Sequence, residues 1–103
     1  MPKFTLKTPI TVFDAETQTE KTLSDITLRE PTTDDYLKLG DPYVMGISGG
    51  GSLSPKPAVV KQYICELGGL MPSQLKTIDL ADFINLQGWV VNFFMEKLGQ
   101  ASN

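Results

Sequence analysis

The sequence predicts an α+β fold: an N-terminal β-hairpin followed by three to four α-helices, in a single small domain. Three observations predict it. Apolar residues near the N-terminus recur with a period of two. Further along they recur at three- and four-residue intervals, the spacing of a helix face. Proline, glycine and capping residues stand where one pattern gives way to the next.

Phe4, Leu6, Ile10 and Val12 alternate with polar residues such as Thr5, Lys7 and Thr11, which predicts a half-buried strand. Pro9 removes an amide donor, so this strand lies at an edge or bends there. Asp14 to Thr17 suits a turn, and a second strand runs from about Thr19 to Arg29. Leu23 falls on the opposite parity to Ile26 and Leu28, which places a bulge or bend near Ser24-Asp25. A hairpin of two strands is marginal alone and needs a helix or another chain against it.

Pro31 disfavours a helical Glu30, and Thr32 can cap a short helix whose first turn holds Asp34 and Asp35. Gly40, Asp41 and Pro42 end it. A long connection over about 41–53 carries Gly46, Gly49, Gly50 and Gly51 and is expected to be mobile. Ser54-Pro55 resembles the start of a helix that continues through Val59, Val60, Tyr63, Ile64 and Leu67 and ends at Gly68-Gly69. Pro72 to Ile78 supplies one or two further turns. Asp79 can cap the last helix, with Asp82 three residues on in a capping-box arrangement. On this reading residues 1–103 form one domain, with the hairpin over 1–30 and the helical part over 31–103.

The last helix, about Leu80 to Leu98, has two apolar stripes. Leu80, Phe83, Ile84, Val91, Phe94 and Leu98 form one; Leu86, Trp89, Val90 and Phe93 form the other. One stripe can cover the domain's own core. The second is then a candidate partner-binding surface, since contiguous exposed apolar area and aromatic residues mark interfaces. The alternative is that both are buried within one compact monomer; the pattern alone leaves open which stripe faces inward.

Composition narrows the chemistry. The chain has 103 residues, of which 41% are apolar, enough for one small core. Its net charge of -3 does not suggest a nucleic-acid or membrane-surface binder. No histidine and a single cysteine, Cys65, exclude a Cys/His zinc site, a His-based triad and an internal disulfide. No catalytic, cofactor-binding or metal-binding residue is therefore expected, and the chain reads as non-enzymatic and cytoplasmic. Asp34 and Asp35 are adjacent, so they diverge on a helix and serve capping rather than shared acid/base work. The Gly46–Ser52 stretch lacks the Gly-Lys-Ser/Thr of a phosphate loop. Cys65 reads as a small core thiol. Residues 13–41 hold eight acids against three bases, a net of -5, and read as a solvated acidic surface.

The stretch Ile26-Thr27-Leu28-Arg29-Glu30-Pro31-Thr32, with Asp35 after it, resembles the strand, Leu-Arg-Glu-Pro-Thr, short-helix signature of a phage tail assembly chaperone family of Mu-like and P2-like phages. Pro9-Ile10, Leu67-Gly68-Gly69-Leu70 followed by Leu75, Ile78 and Asp82, and the paired Phe93 and Phe94 agree with it. The resemblance implies a protein that binds the tape measure protein and keeps it soluble before the tail tube polymerises. It implies a homo-oligomer in the host cytoplasm, absent from the finished virion, and a short form beside a longer frameshifted product. Arg29 and Glu30 would form a structural pair at the strand-to-helix corner. The rival reading is a minor tail component retained in the virion.

Overall fold

The computed structural model describes residues 3–14, 16–45 and 53–101. The antiparallel hairpin comes first, with β1 at Lys3–Asp14 and β2 at Thr19–Thr27. Next is α1 at Thr33–Leu39. A second, three-residue hairpin of β3 (Tyr43–Met45) and β4 (Leu53–Pro55) follows. The chain continues into α2 at Pro57–Gly68, the single-turn α3 at Pro72–Leu75, and α4 at Leu80–Ala101. Among the described residues the fold is α+β, with the N-terminal hairpin and four helices.

The hairpin is broken where Pro9 and Leu23 place the irregularity. Thr5 pairs with Asp25 and Ile10 with Leu23, so Leu6 to Pro9 on β1 stand opposite Ser24 alone. The extra residues belong to β1. This bulge frees the amides of Lys7 and Thr8 from the ladder, and both donate to the carboxylate of Asp82, at 3.0 and 3.1 Å. The expected capping box at α4 is thereby corrected. Asp79 does cap, accepting from the Ala81 amide at 3.1 Å, but Asp82 turns to the hairpin and is buried. A buried carboxylate needs donors, and the bulge supplies two.

The core lies between the hairpin and the helices. Leu6, Ile10 and Ile26 from the hairpin, and Leu28 just beyond it, meet Val60, Tyr63, Ile64 and Leu67 of α2, Leu75 of α3, and Leu86 and Val90 of α4. α2 ends as its glycines predict. Gly69 takes the left-handed conformation, φ 66°, and its amide donates to Cys65 O. Gly68 permits close approach to the hairpin: a Cβ there would lie 3.1 Å from Leu28 Cδ2.

Two expectations change. The connection over 41–53 contains the β3–β4 pair, because Tyr43 and Val44 favour strand and find Pro55 and Ser54 opposite. The glycines between them, and the mobility expected of them, lie outside the described residues. Ser54 and Pro55 consequently belong to β4, and α2 starts two residues later, with Lys56 at the N-cap and Pro57 in the first turn. The Lys56 amide bonds Pro42 O at 2.8 Å, which closes the base of this small hairpin.

Candidate functional site

The corner between β2 and α1 is built from local sequence. Thr32 is the N-cap of α1: its hydroxyl accepts from the Asp35 amide at 3.3 Å, while Asp35 accepts from the Thr32 amide at 2.8 Å. The Asp35 carboxylate also receives the Arg29 guanidinium in a two-point contact, 2.7 Å from Nη1 and 3.0 Å from Nη2. Arg29 therefore pairs with Asp35, not with the Glu30 side chain; towards Glu30 it reaches only the backbone carbonyl, at 3.3 Å. A carboxylate fits the fork of a guanidinium six residues away, whereas the adjacent side chain points elsewhere. Arg29 holds the Asp35 carboxyl well below the usual carboxylate range despite its burial, and its own pKa is raised in return.

This corner sets α1 beside the C-terminal half of α4, and a groove of about 370 Å³ opens between them. Its lining is Pro31, Thr32, Thr33 and Tyr36 on one side and Phe93, Phe94 and Lys97 on the other. Phe94 is the centre of the aromatic floor, with ring centroids 5.3 Å from Tyr63 and 6.0 Å from Tyr36. Tyr36 is held by its hydroxyl, which donates to Asp41 at 2.6 Å, and that acceptor raises its pKa. Beneath, the Tyr63 hydroxyl donates to Gly40 O at 2.6 Å; burial pushes its pKa up to about 12. Lys97 Nζ sits 5.4 Å from the Phe93 ring centroid and is the single charge in the lining.

The expected partner stripe does not form one exposed surface. Leu86 and Val90 are buried, at 1% and 0% exposure, and belong to the core. Trp89 is half-buried, edge-on to Phe4 at 5.9 Å and tilted against Phe93 at 5.8 Å. Of the four residues, only Phe93 lines the groove. The other stripe is divided as well: Val91 is buried, while Leu80 and Ile84 are 72% and 51% exposed. Buried Asp82, Leu86 and Val90 lie four residues apart, so the inward face of α4 follows that row. No spacing in the sequence joins Pro31, Thr33, Tyr36 and Lys97 to the aromatic residues of α4. The available signal is Tyr36 itself, one of three apolar-contact residues, with Leu37 and Leu39, on this seven-residue helix.

The lining suits apolar recognition. Among the described residues no group of three or more His, Cys, Asp or Glu could hold a metal ion, and no helix is long and apolar enough to cross a membrane. Cys65 is half-buried, and burial raises its thiol pKa.

Neither a comparison with curated proteins nor one with solved structures gives a match. A protein-family model described as "Phage tail assembly chaperone proteins, E, or 41 or 14" matches residues 3–95, and the chain belongs to that family.

Proposed function

We propose that this member of the phage tail assembly chaperone family binds the tape measure protein and keeps it soluble until the tail tube polymerises around it. The family supports a chaperone role and protein partners in tail assembly. The observation that carries the finer reading is the aromatic groove between α1 and α4. It offers apolar area with one cation at its rim, which suits an apolar anchor on an amphipathic helix flanked by a carboxylate. Phe93 supplies the direct contact, Trp89 supports its ring, and Leu86 and Val90 act from inside the core by fixing the helix face. Chaperone work of this kind asks for binding, not covalent chemistry. It takes place in the host cytoplasm, and the protein is then left out of the virion; a longer frameshifted form would share this domain.

The test is co-expression with the tape measure protein of the same genome, followed by size exclusion with light scattering. The parent chain should render the tape measure soluble and co-elute with it. Phe93→Ala combined with Lys97→Glu should weaken that association about tenfold or more, with circular dichroism confirming a folded chain. Equal solubilisation by the double variant would remove the groove from the proposal. Detection of the chain in purified virions by mass spectrometry would favour a retained tail component instead.

A further inference from the structure

The outer edge of β2 is an unfilled strand position. Among the described residues no third strand joins the β1–β2 sheet, and no backbone hydrogen bond links Thr19–Thr27 to any element but β1. The two edges of this hairpin are not equivalent. The edge of β1 is interrupted by the Leu6–Pro9 bulge, by a proline without an N–H, and by Asp82, which occupies the Lys7 and Thr8 amides. These devices blunt an edge. β2 lacks all three and has charges alone, Glu20, Lys21 and Asp25, as its protection: nine residues, no proline, no glycine, with Thr19 to Thr22, Ser24 and Thr27 exposed.

We propose that β2 pairs antiparallel with β2 of a second copy of this chain, around a two-fold axis through Leu23. Outward-facing N–H and C=O groups alternate along a strand, so an outward residue must face an outward residue. The axis therefore passes through a residue, not between two. Charge then selects which residue. An axis through Glu20, Lys21 or Asp25 sets like charges directly against each other. An axis through Thr22 or Ser24 pairs no opposite charges. The axis through Leu23 sets Lys21 against Asp25 of the second copy, twice per dimer, places Leu23 against Leu23, and overlaps all nine residues of the strand. Asp25 already lies 3.6 Å from Lys3 of its own chain on the β1 side, so its carboxylate is bracketed by a cation from each side in the dimer. This surface shares no residue with the groove and does not depend on the identity of the groove's ligand.

The test uses the full chain in sedimentation velocity and light scattering across a concentration series. The parent should show a reversible dimer. Lys21→Asp should raise the dimer dissociation constant about tenfold or more, and the swap Lys21→Asp with Asp25→Lys, made together with Lys3→Glu so that the lysine at 25 keeps an opposite charge beside it, should restore it to within about threefold. In a Cys65→Ala background, a mixture of Thr22→Cys and Ser24→Cys chains should cross-link on mild oxidation, while each alone should not. A chain that stays monomeric overturns the proposal, as does self-association unchanged by Lys21→Asp in a variant that melts like the parent. Cross-linking of Thr22→Cys to itself places the axis elsewhere and refutes the register. A monomer whose β2 edge instead captures an extended segment of another protein also overturns it.

Discussion

The first turns of α1 and α4 each carry a buried aspartate, and the two work over different distances. Asp35 serves its own corner: it closes the cap with Thr32 and takes Arg29 from six residues upstream. Asp82 ignores its own helix and satisfies two amides of β1, 75 and 74 residues away. The same residue type at the same helical position thus does a local task in one place and a tertiary one in the other. What decides is whether the neighbouring chain leaves donors unpaired. At α1 the donors are the cap and an arginine; at α4 they are amides that a strand bulge has released.

The comparison can be broken at several points. Asp35→Ala should be the most damaging change, because it removes the carboxylate half of the capping box and the two-point acceptor of Arg29, which keeps only Glu66 at 4.0 Å; a loss of about 3 kcal/mol is expected in chemical denaturation. Asp82→Ala should cost about 2 kcal/mol, the penalty of two bulge amides left without acceptors. Hydrogen exchange should then quicken at Lys7 and Thr8 while the α1 corner stays protected, whereas Asp35→Ala should show the reverse.

Acid tests the Asp35 corner as well. Arg29 holds the Asp35 carboxyl below its ordinary value, so the stabilisation is complete above about pH 4 and is lost as the pH falls below that towards the depressed value. Stability measured on descending pH should therefore decline more steeply for the parent than for Asp35→Asn. The smallest effect belongs to Glu30→Ala, which should shift stability by less than about 0.5 kcal/mol, since Arg29 uses only the carbonyl of that residue. A loss comparable to that of Asp35→Ala would restore Glu30 as the arginine's partner.

The same contrast explains what could be read in advance. Thr32 as a cap, Gly69 as a helix end, the bend at Pro9 and the parity break at Leu23 are short-range matters of backbone geometry, and each was readable from a few adjacent residues. The task of Asp82 was not, because a capping position and a long-range acceptor look identical until the bulge stands opposite. The β3–β4 pair escaped notice because three residues per strand carry no periodicity. The groove was half readable: Phe93 stood out as an aromatic residue suited to contact. Its companions Tyr36 and Pro31 reach it only because the Arg29–Asp35 corner sets the direction of α1. The pattern puts Leu86 and Val90 as readily on a partner face as in the core, because two apolar stripes on one helix are equivalent until the helix is packed.

The contact between Asp82 and the β1 bulge also orders events during synthesis. The hairpin leaves the ribosome before α4, yet the acceptor for its Lys7 and Thr8 amides is made 75 and 74 residues later. A nascent chain halted before α4 holds a bulge whose amides face water and a core without Leu86 and Val90. Closure of that long loop is a late, non-local step. The domain therefore matures only after its last helix has emerged from the ribosome, and the hairpin's edges are presented in their final form only then.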